Sequence, residues 1–123
     1  MSRAKRVPRI LLVNGDNTVQ HLRALMLRME GHRVDTAADL HAARAVLAAA
    51  REYDLVIVDV GHFAGPGLDF CEEIKKRYSG QKVLMQVDGN LFIDRDSCPD
   101  KVMSKQDGPQ QFVAEVERML QAS

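Results

Sequence analysis

The chain has 123 residues, with 17 Lys and Arg against 17 Asp and Glu, so its formal charge is zero when His is neutral. That length suits one domain and leaves no room for two, and 46% hydrophobic with 28% charged residues supports a buried core rather than a disordered chain. The neutral balance argues against wrapping nucleic acid or binding acidic membranes, and no apolar run approaches the roughly 20 residues of a membrane span. Two cysteines, Cys71 and Cys98, make neither a disulfide scaffold nor a metal-type pair, so a reducing, cytoplasmic setting is expected.

Residues 1–8 form a basic tail, expected to be solvated. Ile10-Leu11-Leu12-Val13, ending in Asn14-Gly15-Asp16, has the length and chemistry of a fully buried strand. From Val19, apolar residues recur at Leu22, Leu25, Met26 and Met29, which predicts a helix with that face inward and a stop at Gly31. Arg33-Val34-Asp35-Thr36 alternates and reads as a strand near an edge. Asp39 is placed to cap an Ala-rich helix that turns Leu40, Ala43, Leu47 and Ala50 inward. Leu55-Val56-Ile57-Val58 is the most hydrophobic strand and ends at Asp59. A glycine-rich loop, Gly61 to Gly67, is expected next, then a helix with acids early (Asp69, Glu72, Glu73) and bases late (Lys75, Lys76, Arg77). Val83–Val87 is a fourth strand. Residues 88–100 carry no helical stripe, and Cys98 there reads as an exposed thiol. Lys101–Ser104 predicts a fifth strand, and Pro109 opens a helix with Phe112, Val113, Val116, Met119 and Leu120 on one face.

Five alternations of strand and helix imply a parallel sheet covered on both faces. Right-handed crossovers then favour a flavodoxin-like α/β sheet of order 2-1-3-4-5, with the helix between strands 4 and 5 shortened or irregular. Chemistry in such a fold belongs at the carboxyl ends of the strands. Pattern alone therefore selects Asn14, Gly15 and Asp16, then Asp59, Val87, Asp88 and Lys105. A carboxylate ending a buried strand can attack a phosphoryl group to give an acyl phosphate. That reaction needs a hard divalent cation such as Mg²⁺ and a nearby ammonium. Asp59 and Lys105 supply nucleophile and charge, and the same two residues could equally form a structural ion pair.

At this point the chain resembles the receiver domain of two-component response regulators, over about residues 9–121. Asp54-Leu55-Val56-Ile57-Val58-Asp59 is similar to that family's third strand with its phospho-acceptor. Pro66-Gly67-Leu68-Asp69 is similar to its segment at helix 3, and Met103-Ser104-Lys105 to the end of its fifth strand with its lysine. The resemblance implies a cytoplasmic phosphorelay signalling protein rather than an enzyme. Its implied partners are a histidine kinase or a downstream effector, with no direct contact to nucleic acid or membrane, and its implied state is a monomer or weak homodimer.

The departures from that family cluster at its chemistry. Two adjacent acids that hold Mg²⁺ are matched by Asn14 and Gly15, with Asp16 one residue late. The Thr or Ser that bonds the phosphoryl group is matched by Val87, the aromatic switch by Val102, and the proline after the lysine by Gln106. Losing a metal-ligating carboxylate removes several kcal/mol of direct charge interaction, and losing the hydroxyl removes roughly 0.5–3 kcal/mol more. The expectation is a degenerate receiver in which Asp59 and Lys105 persist, phosphorylation is weak or lost, and partners bind the surface. Two alternatives stand beside it. In one, Gly15 lets Asp16 swing beside Asp59 and restore a Mg²⁺ site. In the other, the same edge binds a small ligand. His62 near Asp59 has neither the spacing nor the strand position of a cobalamin motif, and Asn14-Gly15-Asp16-Asn17 does not suit the phosphate of FMN.

Overall fold

The computed structural model describes residues 7–13, 17–50, 53–89, 91, 93–94 and 97–121. Its strands are β1 (Arg9–Val13), β2 (Arg33–Ala37), β3 (Leu55–Gly61), β4 (Val83–Val87) and β5 (Lys101–Ser104). Its helices are α1 (Asn17–Met29), α2 (Leu40–Ala50), α3 (Ala64–Arg77) and α4 (Pro109–Gln121). All four strand pairings are parallel, in the order β2-β1-β3-β4-β5. This is the expected flavodoxin-like sheet, and among the described residues no helix lies between β4 and β5.

Strand alternation divides the core in two. Ile10, Leu12, Leu55, Ile57 and Leu84 face α1 and α4, where they meet Leu27, Phe112, Val116 and Met119. Leu11, Val13, Val56, Val58 and Val83 face α2 and α3, where they meet Leu47, Phe70, Cys71 and Ile74. β2 buries only Val34 and Ala37, as an edge strand should. Asp39 caps α2 as expected, accepting the Ala42 amide at 2.7 Å. The Lys82 ammonium meets the Met119 carbonyl at 2.7 Å, a cation at the C-terminal end of α4.

Three expectations are corrected. The α1 stripe does not face the sheet: Leu22, Leu25 and Met29 are 55%, 53% and 76% exposed, Val19 is exposed, and Met26 is only partly buried. The buried face holds Ala24 and Leu27, one residue or about 100° round the helix. Small Ala24 lets the helix approach. Gln20 and Arg23 take polar tasks at the strand ends, Gln20 reaching the Leu12 and Ala37 carbonyls at 3.4 and 3.3 Å. Secondly, α3 starts at Ala64, so Gly65, Pro66 and Gly67 are helical. Pro66 sits in the first turn, where its missing N–H has no intrahelical role. A Cβ on buried Gly67 would come within 2.3 Å of Val60 Cγ1, so glycine sets the close approach of α3 to β3. Thirdly, Cys98 is partly buried against the α2–α3 core rather than an exposed thiol.

Tyr53 closes the lower edge of that core. Its hydroxyl donates to Asp35 Oδ2 at 2.5 Å, and the Arg9 guanidinium lies 5.0 Å from its ring centre. Burial first, then the Asp35 bond and charge, raise its pKa from 10.0 to about 12. The folded state therefore favours the neutral phenol. This stabilisation is whole below about pH 10 and is lost as pH rises towards 12. Ultraviolet titration of the native protein should show one tyrosine ionising only near pH 12, and Tyr53→Phe should abolish that step. A titration in which both tyrosines ionise near pH 10 would contradict it.

Candidate functional site

The site forms where β3, β4 and β5 end. Asp59 follows Ile57 by one alternation, so its carboxylate lies on the face covered by α1 and α4. A bulge after Asp59 shifts the β3–β4 register, and Gly61, at φ +59°, makes that turn in a conformation other residues rarely adopt. The Gly61 amide donates to Asp59 Oδ1 at 3.0 Å, and the Asp88 amide donates to the Gly61 carbonyl at 3.0 Å.

Two side-chain cations converge on Asp59. Lys105 Nζ lies 3.1 Å from Oδ1 and Arg23 Nη1 lies 3.2 Å from Oδ2. The Asp59 side chain is 5% exposed and that of Arg23 is 13%. Lys105 also meets Asp88 Oδ1 at 2.6 Å, and His62 Nε2 lies 3.3 Å from Asp88 Oδ2. Arg23, Lys105, Asp59 and Asp88 thus carry two positive and two negative charges, a locally neutral cluster. The Lys105 bond lowers the Asp88 pKa against the opposing effect of burial, helped by the charges of Lys105, His62 and Arg23. Burial alone would lower the Lys105 pKa, but its bonds and charge contacts with Asp88 and Asp59 outweigh this and raise it.

Lys105 is held by local chemistry. It opens a short 3₁₀ turn, Lys105–Asp107, capped by Ser104, whose Oγ accepts the Gln106 amide at 3.1 Å while Asp107 Oδ2 accepts the Ser104 amide at 3.2 Å. Gln106 Oε1 accepts the Gly89 amide at 2.8 Å, which links this turn to the loop after β4.

The structure brings Asp59, Asp88 and Lys105 together, as the strand-end argument required. Asn14, Gly15 and Asp16 lie outside the described residues. Val87 is buried in β4 and Val102 partly buried in β5. The in-register neighbour of Asp59 is Gln86, while Val87 pairs with Gly61. Arg23 and Gln86 were missed in the sequence. Gln86 carried a signal, a polar residue interrupting Val83-Leu84-Met85-Gln86-Val87. Arg23 carried none, because it stands one residue after Leu22 in a stripe that looked like core. Among the described residues no group of three or more His, Cys, Asp or Glu could hold a metal ion. Both Asp59 oxygens face cations, Lys105 at Oδ1 and Arg23 at Oδ2.

Comparison with known proteins follows the geometry. The family model for the response regulator receiver domain matches residues 10–91. The alkaline phosphatase synthesis transcriptional regulatory protein SphR of Synechococcus elongatus is 28% identical over 94% of this chain, which spans 49% of that protein, about half its length. Among solved structures, response regulator TrrA of Thermotoga maritima, in complex with Mg²⁺ and BeF, is 25% identical with a TM-score of 0.80, covering 92% of this chain and 99% of that one. A putative response regulator from Chloroflexus aurantiacus is 23% identical with a TM-score of 0.80, covering 95% and 100%, and shows the same fold.

Proposed function

The chain belongs to the response regulator receiver domain family of two-component signalling, and on that premise we propose that it signals through protein contacts, with weak or no Mg²⁺-dependent phosphorylation. One observation carries this reading: the Arg23 guanidinium is paired with Asp59 Oδ2 at 3.2 Å. A divalent ion at Asp59 would have to displace a guanidinium and meet its charge at close range. Asn14 and Gly15 at the family's acidic positions, and Val87 and Val102 at its switch positions, support the same reading. The module is a signalling domain rather than an enzyme, acting in the cytoplasm on a histidine kinase or a downstream effector, as a monomer or weak homodimer. Among the described residues no helix is long and apolar enough to cross a membrane.

The second reading keeps Asp59 as phospho-acceptor, with Lys105 at the phosphoryl group and Asp16 completing a metal site. The Lys105 ammonium 3.1 Å from Asp59 favours it, as does likeness to TrrA, solved with Mg²⁺ and BeF. Titration of Mg²⁺ with beryllofluoride, followed by amide NMR, separates the two. The proposal expects no saturable shifts around Asp59 at low millimolar Mg²⁺, and unchanged cellular output in Asp59→Asn. Saturable shifts there, with output lost in Asp59→Asn, would establish the second reading instead.

A further inference from the structure

We propose that Cys71 and Cys98 are a redox pair: a small disulfide of the oxidised-glutathione class closes them into an intramolecular bond that staples the β4–β5 link to α3, and a thiol reopens it. They are the two cysteines of the chain, and they lie in different elements. The fold brings them together. Cys71 is on α3 and fully buried. Cys98, from the link, is partly buried against the same α2–α3 core. The Cys71 thiol donates a hydrogen bond to the Cys98 sulfur.

A second contact fixes the alignment. Lys75 stands one turn beyond Cys71, about 5–6 Å along the same face of α3. Asp100 stands two residues beyond Cys98, a span of at most about 7 Å. Lys75 Nζ meets Asp100 Oδ2 at 2.7 Å, and that oxygen also accepts the Val83 amide at 2.8 Å. One short run of chain thus crosses one helix face at two matched points. Buried Pro99 lies between them and fixes the backbone there.

Access sets the order of events. Cys98 is the partly exposed member, so its thiolate attacks the small disulfide first. A mixed disulfide forms at Cys98, and one small thiol leaves. Cys71 then loses its proton to solvent and attacks the Cys98 sulfur, and the second small thiol leaves. The protein loses two hydrogen atoms, and the small disulfide takes them up as two thiols. Burial first, then the bond and charge of Cys98, raise the Cys71 pKa against the charge of Lys75. The second step is therefore the slower one. Disulfides inside reducing cells are usually transient and redox-sensing. Closure here holds the link against α3, an input that needs neither phosphate nor metal.

The test equilibrates the full chain with mixtures of reduced and oxidised glutathione, in native buffer and in urea. Acid quenching, thiol labelling and intact mass then count the open thiols. In native buffer both thiols should disappear together, in a monomer lighter by two hydrogens, and reduced dithiothreitol should restore them. Half closure should come at a mixture at least tenfold more reducing in native buffer than in urea, because the folded chain holds the sulfurs together. Cys98→Ser should leave Cys71 unmodified; the wild-type comparison stands even if this variant folds poorly. Closure no easier than in urea would overturn the proposal. So would an end point with Cys98 blocked and Cys71 still a thiol, covalent dimers, or modification of Cys71 in folded Cys98→Ser. No step touches Asp59 or Mg²⁺, so the outcome is independent of the receiver reading.

Discussion

Arg23→Ala is expected to turn a protein indifferent to Mg²⁺ into one that Mg²⁺ stabilises. Removing one member of a buried pair costs about 3–5 kcal/mol when nothing else compensates. Here Lys105 remains beside Asp59 and Arg23 is 13% exposed, so a loss of about 2–3 kcal/mol is expected in urea unfolding. Asp59 Oδ2 then has lost its guanidinium, and a divalent cation can take that place. Mg²⁺ at ten times its dissociation constant should return about 1.4 kcal/mol to the variant and leave the wild type unmoved. Adding Asp59→Asn should remove the Mg²⁺ response. Equal stabilisation of wild type and variant would show that Arg23 does not stand in for the metal. The two substitutions should also couple by about 1–3 kcal/mol in a double-mutant cycle, since their side chains meet at 3.2 Å.

Two leucines of α1 should respond very unequally to the same substitution. Leu27 is fully buried among Ile10, Leu12 and Val34, so Leu27→Ala should cost about 2–5 kcal/mol through lost transfer energy and a residual cavity. Leu25 is 53% exposed, so Leu25→Ala should change stability by no more than about 0.5 kcal/mol. Chemical denaturation of both variants measures the helix's rotation directly. Comparable losses at the two sites would place α1 with its long apolar stripe inward, against the structure.

That contrast shows where the sequence was legible. The strands were plain because both faces of a parallel sheet are buried, and runs such as Leu55 to Val58 have few other uses. Strand order followed from alternation and handedness. Asp59, Asp88 and Lys105 followed from strand ends, since topology rather than local composition puts them together. Helix rotation was harder. Periodicity reveals an apolar stripe but not what it faces, and in α1 the buried positions are the small Ala24 and Leu27, beside the partly buried polar Gln20 and Arg23. Nothing local marks Arg23, because its partner, Asp59, is 36 residues away. The start of α3 was hidden by Gly65-Pro66-Gly67, residues that usually signal a loop, of which Gly67 permits close packing on Val60.

The link from β4 to β5 carries a consequence for how this chain tolerates change in length. It runs from 88 to 100, thirteen residues, about the shortest path that returns a chain to start a parallel neighbour. Both ends are moored: Asp88 to Lys105, and Asp100 to Lys75 at 2.7 Å and to the Val83 amide at 2.8 Å. With its ends tied to the sheet, the link leaves the register of β5 to those ties. Lengthening it adds only closure entropy, about 0.6 kcal/mol for each doubling. Shortening it by even a few residues would pull on the moorings and unseat β5, and with it Lys105. Natural variation in this stretch should therefore run one way, towards insertion.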